Sequence, residues 1–599
     1  KFQKYIREIM NKIDLKYIYS LILENKKLLL FGQAITIIAI IISVPIPLML
    51  PILVDEVLLN KPAFFVNSID NIFGKGSAFY YIFIVTLAVV FLRFIYYILS
   101  VVITKIFTTI SKYATFKIRE KLISHLKSVS MNEYESLGSG AIGANLITDV
   151  NTLDNFIMSS ASKLVTSLLT LIAVAIVIIA IHPILGLLII VIQPLIMFLS
   201  RSIAKKTGGL KKEENQAIEE FQNSIGENLD LFGQIKASNK EEYFSTLAIQ
   251  KAKNIQITSN NYNYKSVAYE RFSFTLFLVA FEILRAAGLI MVAYSDLSIG
   301  MMFAMFGYIW FIMTPVQDIL SMQYSYATAM ASLKRVNKIL NLKQEPNGKK
   351  RFEDKKIGVN ISLRNLCFSY SESRELLKDI SLDIRAGEKI ALIGASGSGK
   401  TTLAQIIAGF YNKNSGKLLY NGIKIEDLDK KSLRSELFLV LQMPILFNNT
   451  LRFNITMGDE SVSDKRIYKA LEISQLSQTV LDMENKLDTI VGKNGVRLSG
   501  GQRQRLSIAR MIIANPSVVI FDESTSALDV HTELKLFSNL EEILKDKTVI
   551  TIAHRLSTVK NVDKIYVLDD GKIVQSGSHK ELEKENGHYL DFVKNQLVQ

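Results

Sequence analysis

Residues 389–408 read KIALIGASGSGKTTLAQIIA, and this stretch decides the fold of the half of the chain that contains it. KIALIG is a short, almost wholly apolar run of the kind that forms a buried strand, and it breaks into a glycine-rich loop that opens into a helix. Gly394, Gly399, Lys400 and Thr401 stand at phosphate-loop spacing within that strand–loop–helix context. Glycines let backbone N–H groups converge on phosphate oxygens at a helix N-terminus, a lysine adds charge near the β and γ phosphates, and a threonine hydroxyl suits magnesium. Further along, VVIFDE at 518–523 reads as a second buried strand, ending in two carboxylates. Asp522 is expected to hold magnesium through water, and Glu523 to orient or deprotonate the attacking water. Between the two lies LSGGQ, 498–502, whose small residues and Ser499 hydroxyl open a helix.

Upstream of this region the chain is written for lipid. Apolar residues make up 49% of the sequence and charged residues only 21%, which excludes a disordered or collagen-like chain. One cysteine excludes an intramolecular disulfide scaffold and any cysteine-rich zinc site. The net charge of +14 fits nucleic acid, anionic lipid or basic cytosolic loops equally, so its distribution has to decide. Residues 28–54 carry no charged side chain and are long enough to cross a hydrocarbon layer of about 30 Å. Further apolar runs cover 77–110, 164–200 with His182-Pro183 in its middle, 272–295 and 297–320, for an expected total of six spans. Lysines and arginines crowd 111–130 and 201–212, whereas 55–77 is slightly acidic, so both chain ends are expected in the cytosol. The charge is thereby explained by membrane topology, with no nucleic-acid partner expected.

The expected organisation is a cytosolic segment over 1–27, a transmembrane domain over 28–340, a polar linker over 341–357 and a nucleotide domain over 358–599. The excursions 111–158 and 201–268 exceed ordinary helix–helix links, and turn formers beside short apolar helical patterns at 138–150 and 226–240 mark them as candidate coupling elements. Pro45, Pro47 and Pro51 in the first span and Pro315 in the last should bend their helices. Arg93, Glu282 and Arg285 are costly in lipid and, with Tyr308, are the candidates for a substrate cavity; Glu282 and Arg285 can also pair across one helical turn.

The ordered set GASGSGKT, LSGGQ, VVIFDE, SALD and the isolated His554 resembles an ATP-binding-cassette ATPase. With six preceding spans the chain resembles an exporter half-transporter of that family, over about residues 15–599. The resemblance implies a membrane α-helical domain followed by an α/β phosphate-loop NTPase domain, in a domain-swapped dimer with a second copy or a homologous half-transporter. It implies ATP and Mg²⁺ as cofactors. It assigns catalysis to Glu523, His554, Gln442 and Lys400, and nucleotide binding to Tyr370, Gly394, Ala395, Ser396, Gly397, Ser398, Gly399, Lys400, Thr401, Thr402, Gln442 and Asp522. Ser499, Gly500, Gly501 and Gln502 of the partner subunit would close the site, and Thr401, Gln442 and, through water, Asp522 would hold the metal. Asp529 ends SALD, the segment that joins the two sites across the dimer in that family.

One position departs from the pattern: Lys493, in IVGKNGVRLSGG, stands where exporters of the family commonly carry a glutamate thought to meet the coupling loops. The implied function is ATP-driven export of an amphipathic or hydrophobic substrate from the cytosol or inner leaflet across the inner (plasma) membrane. Multidrug efflux leads, with a lipid or lipid-linked glycan flippase, a peptide exporter, or an ATP-gated channel or membrane sensor as alternatives. Glu523 argues against the last, because a gate needs only to bind nucleotide whereas a cycle must hydrolyse it.

Overall fold

The computed structural model describes residues 12–61, 63–352, 358–370, 375–492, 495, 497–523, 528–553 and 555–597. The chain divides into two compact units, Lys1–Leu122 with Gly143–Lys338, and Ile123–Ile142 with Ile339–Gln599.

The first unit is a bundle of long helices. Among the described residues, five are long and apolar enough to cross a membrane: Lys26–Leu58, Ala78–Leu126, Ser139–Ile181, Glu241–Tyr294 and Ile299–Ile319. The sixth expected span falls in 183–200, where only part of the side chains belongs to the described residues. His182 adopts extended backbone and Pro183 starts a new helix, so the 164–200 run is divided there as the His-Pro pair implies. That helix runs on to Asp230; the side chains of 193–207 lie outside the described residues. The helix Ala78–Leu126 has 49 residues, roughly 74 Å at 1.5 Å per residue, so it outruns any hydrocarbon layer by tens of ångströms.

The prolines of the first span act where expected, whereas the helix Ile299–Asn341 runs through Pro315 without leaving α-helix. The first span leaves regular α-helix at Ser43, passes through a tight turn at Ile46–Leu48 and continues as a π-helical turn over Ile52–Leu58. Leu48 N–H bonds to Pro45 rather than to Val44, and Pro47 has no N–H, so the Val44 carbonyl loses its helical donors. The Tyr308 hydroxyl donates to it at 2.6 Å, fully buried in the core formed with Ile40, Val174, Ile178 and Met305.

A polar knot holds the end of the bundle away from the longest apolar runs. Asp149 is buried, accepts from Ser332 at 3.0 Å and pairs with Arg335 through two Nε contacts of 3.0 Å. Arg335→Ala strands that carboxylate. Breaking a fully buried pair costs about 3–5 kcal/mol, and because the arginine is half exposed the expected loss is about 2 kcal/mol. Thermal unfolding of the purified protein checks it, with Arg335→Lys recovering part of the loss.

The second unit is built on a six-stranded and a four-stranded sheet. The strands of the two are β1 (Ile361–Phe368), β2 (Leu377–Ile384), β3 (Lys389–Gly394), β4 (Ser415–Tyr420), β5 (Ile423–Lys424), β6 (Leu437–Val440), β7 (Val518–Asp522), β8 (Thr548–Ile552), β9 (Lys564–Asp569) and β10 (Lys572–Gly577). The main sheet has the order β10-β9-β3-β8-β7-β6, parallel except for the β9–β10 hairpin. β7 and β8 are buried at every position, as strands covered on both faces must be. An antiparallel sheet β2-β1-β4-β5 packs with it in one core that includes Ile361, Leu392, Leu403 and Ile550. A smaller helical core over Leu446–Leu506 carries the LSGGQ segment.

The tip of the first cytosolic excursion belongs to this unit. Ser130 N–H bonds to Lys343 at 3.0 Å, Glu345 N–H bonds to Ser128 at 2.9 Å, and His125 Nε2 lies 3.1 Å from the Leu342 carbonyl. The helix Met131–Leu137 is further tied by Tyr411, whose hydroxyl donates to Glu135 at 2.7 Å. Burial first, and then the Glu135 carboxylate, push the Tyr411 phenol well above the usual tyrosine value, so it stays a donor across ordinary pH. Tyr411→Phe removes about 1 kcal/mol here. Amides of Met131–Leu137 should then exchange with solvent about five times faster, read by hydrogen exchange.

Candidate nucleotide site and membrane cavity

Both strands singled out from the sequence deliver their C-terminal ends to one place. β3 and β7 flank β8, and in parallel sheets of this kind ligands bind beyond the carboxyl ends of the strands. The loop after β3 passes through Gly394 (φ 150°), Gly397 (φ 82°) and Gly399 (φ 99°) before the helix Lys400–Ile407. A Cβ on Gly394 would lie 2.0 Å from the Leu568 carbonyl oxygen, and one on Gly399 would lie 2.6 Å from Leu377. The glycines are therefore demanded by close approach as well as by dihedral angle.

Lys400 is almost fully buried and its Nζ donates to the carbonyls of Gly394 (3.0 Å) and Ala395 (2.8 Å). Burial draws its ammonium below the usual lysine value, while Glu523 and Asp522 push it back up. Thr401 Oγ1 donates to Asp522 Oδ1 at 3.1 Å, which brings a hydroxyl and a buried carboxylate to one point.

Magnesium is implied by this chemistry, and the residues fit it. Thr401, Asp522 and the Gln442 side chain present hard oxygen donors, and Ser398 Oγ in the same loop is a buried hydroxyl without a hydrogen-bond partner among the described residues. An orphaned buried hydroxyl is costly unless a ligand oxygen completes it.

Glu523 leaves β7 with φ 43°, in the left-handed region that side chains rarely enter. The turn brings its carboxylate to Gln442, whose Nε2 donates to Glu523 Oε2. Gln504, buried in the helix Gly500–Ala514, donates in turn to the Gln442 carbonyl at 3.0 Å. The helix opened by LSGGQ is thus wired to the candidate base through Gln442. Gln504 was not picked out from the sequence; its only signal there is the alternation QRQR, which reads the same as a solvated helix face.

Ser499 caps that helix. Its Oγ accepts from Gln502 N–H at 3.2 Å, and Gln502 Oε1 accepts from Ser499 N–H at 2.8 Å. Gly500 and Gly501 form the first turn. Tyr370 is half exposed, stands edge-on to Phe368 and Tyr411, and shares a hydrogen bond of 3.0 Å with the Thr402 hydroxyl. Asp529 caps the helix Val530–Leu544, accepting from Thr532 N–H at 2.9 Å. His554, Lys493 and residues 524–527 lie outside the described residues.

The membrane unit holds a cavity of about 870 Å³. Of the side chains proposed from sequence, Arg93 lines it. Glu282, Arg285 and Tyr308 do not. Glu282 and Arg285 form an ion pair across one turn, each about half exposed, and Tyr308 is consumed by the Val44 carbonyl. A pairing partner three residues away and an orphaned carbonyl are local demands that outbid the cavity for these groups. Lys163 and Asp318, 3.4 Å apart, line the cavity instead and escaped notice in the sequence, because each sits near the end of an apolar run.

A phosphate loop, a carboxylate-tipped neighbouring strand and a glutamine bridging to a glycine-led helix define an ATP-hydrolysing domain, here fused to a multi-span helical bundle. A family model described as "ABC transporter" matches residues 377–526, and one described as "ABC transporter transmembrane region" matches residues 29–316. The chain belongs to the ABC transporter family, as a fused-domain ATP-hydrolysing transporter of the exporter type. It is a multi-pass inner-membrane protein with a cytoplasmic nucleotide-binding domain.

Among its relatives, a putative multidrug export ATP-binding/permease protein, YgaD of Bacillus subtilis, is 30% identical over 488 residues, covering 79% of this chain and 82% of the relative. An ATP-dependent lipid A-core flippase of Mannheimia succiniciproducens is 30% identical over 542 residues, covering 88% and 91%. The solved structure of a bacterial Atm1-family ABC exporter with ATP bound superposes with a TM-score of 0.81 at 22% identity, covering 98% of this chain and all of that one, and shows the same fold.

Proposed function

We propose that this chain is one half of a homodimeric exporter that moves an amphipathic substrate from the cytosol or inner leaflet outward. The transmembrane domain is assigned to 28–340 with six spans, the linker to 341–357 and the nucleotide domain to 358–599. One observation carries the proposal: Lys400, Asp522, Glu523 and Gln442 converge at the end of one sheet, while LSGGQ, the remaining phosphate-binding element, opens a helix carried by the separate smaller core. A second copy would then supply it, head to tail.

In this reading the backbone N–H groups from Gly394 to Gly399, with Lys400, cradle the phosphates, and Tyr370 stacks on the base. Thr401, Gln442 and, through water, Asp522 would hold magnesium, which would supply positive charge to offset that of the phosphates. Glu523 takes a proton from water that Gln442 orients, and His554 stabilises charge at the γ phosphate. Two bound nucleotides close the dimer and favour the outward-open bundle; hydrolysis releases it.

The shared site is tested by mixing two dead chains. Lys400→Ala and Ser499→Phe homodimers should each lose ATPase activity. The heterodimer should regain activity, because one of its two composite sites pairs an unaltered Lys400 loop with an unaltered Ser499. Sites completed within a single chain would leave the mixture as inactive as its parents. That result would overturn the dimeric reading.

A further inference from the structure

We infer that the membrane cavity selects an anionic amphiphile whose headgroup also carries hydroxyl donors, with Arg93 as the contact for the anion. The inference rests on the exporter reading and narrows its substrate class away from multidrug efflux. The cavity, at about 870 Å³, lies within the usual range for sites that enclose a small molecule or a headgroup. Its charged lining is Arg93, Lys163 and Asp318. Lys163 and Asp318 pair at 3.4 Å and cancel, whereas Arg93 has neither ion pair nor hydrogen bond among the described residues. The lining therefore carries one unbalanced positive charge. A guanidinium among apolar helices is expensive until an anion meets it, and its planar fork suits phosphate or carboxylate. The same charge repels a hydrophobic cation.

The hydroxyls add the second criterion. Thr36 and Thr104 donate to the carbonyls of Gly32 and Ser100, both at 2.8 Å, Ser100 donates to Tyr97 at 2.7 Å, and Thr166 donates to Ser162 at 2.8 Å. All four line the cavity, and each has already given its proton to its own helix. What these four offer inward is lone pairs, while the Thr86, Tyr96, Ser162, Ser167, Thr170 and Thr314 hydroxyls, also on the lining, have no hydrogen bond among the described residues and keep a proton to give, so the lining suits a group that both donates and accepts. An ammonium donor would meet the unbalanced charge of Arg93; a hydroxyl would not. Trp310, Phe311 and Phe303 supply apolar surface on the same cavity for an acyl chain.

The experiment measures ATPase stimulation of the full-length protein in phosphatidylcholine vesicles doped separately with phosphatidylglycerol, phosphatidic acid, a diacyl glucosyl glycerol or a hydrophobic cationic dye. Phosphatidylglycerol, with both features, should stimulate at the lowest content, and phosphatidic acid or the glucosyl lipid only at higher content. Arg93→Gln should raise the half-stimulating content of phosphatidylglycerol by about tenfold, the loss of one charge-assisted contact, and leave the glucosyl lipid's unchanged. Arg93→Lys should recover most of the effect and guards against misfolding of the glutamine variant; the wild-type lipid ranking needs no variant at all. Equal stimulation by all four additives, strongest stimulation by the dye, or an Arg93→Gln response identical to wild type would each overturn the inference. ATP hydrolysis that responds to Glu523→Gln but not to Arg93→Gln would sink the substrate class alone, whereas a Lys400→Ala and Ser499→Phe mixture as inactive as its parents would sink the dimeric exporter reading beneath it.

Discussion

Glu523→Gln should slow ATP turnover by about 10²–10⁴-fold, the range for removing a general base, while leaving nucleotide affinity within a few-fold of the parent. The substitution is nearly isosteric, so the contact with Gln442 and the turn after β7 can persist. What disappears is the only function an amide cannot supply, acceptance of a proton from water. The backbone at Glu523 sits at φ 43°, and a residue held there costs of order 1–3 kcal/mol unless the surroundings impose it. The fully buried β7 and the bond to Gln442 impose it, aiming the carboxylate away from the strand while Asp522 points at Thr401. Single-turnover hydrolysis and equilibrium binding of a fluorescent ATP analogue separate the two effects. Unchanged turnover would move the base elsewhere; lost binding would make Glu523 a ligand instead.

Gly394→Ala should abolish nucleotide binding and lower stability by about 2–6 kcal/mol. The methyl would lie 2.0 Å from the Leu568 carbonyl oxygen and 3.0 Å from Ser398 Oγ, in backbone at φ 150°. Neither β9, held between β3 and β10, nor the loop can yield without breaking the sheet. Overpacking contributes about 1–3 kcal/mol and the disallowed dihedral a similar amount. Because Lys400 is anchored by the Gly394 and Ala395 carbonyls, displacing the loop also misplaces the ammonium. Nucleotide binding by calorimetry, with thermal unfolding alongside, checks both halves. An alanine variant with normal affinity would mean that the loop opens on binding nucleotide.

Much of this was legible in the chain because the demands are local. A short, almost wholly apolar run before a glycine loop reads as a buried strand meeting a helix start, and the two acids ending VVIFDE fall at the carboxyl end of the second strand. Proline positions forecast the broken first span for the same reason: a missing N–H acts on its own turn. The count of spans was not local. Whether the 164–200 run holds two crossings depends on where the helix beginning at Pro183 leaves lipid, and apolarity along the sequence does not mark that depth.

Side-chain assignments divided along the same line. The sequence alone determined the phosphate loop, its metal-side hydroxyl and carboxylate, and the membrane character of the first half, since each is written in contiguous residues whose chemistry travels with their spacing. Only the tertiary structure decided that Gln504 reaches Gln442, that Tyr308 serves the Val44 carbonyl, and that Arg93 has no ion-pair partner among the described residues while Lys163, far off in sequence, is neutralised by Asp318. Those outcomes turn on which distant group arrives within about 3 Å, and hydrogen bonds and ion pairs fall off too steeply over that distance for spacing along a chain to foretell them.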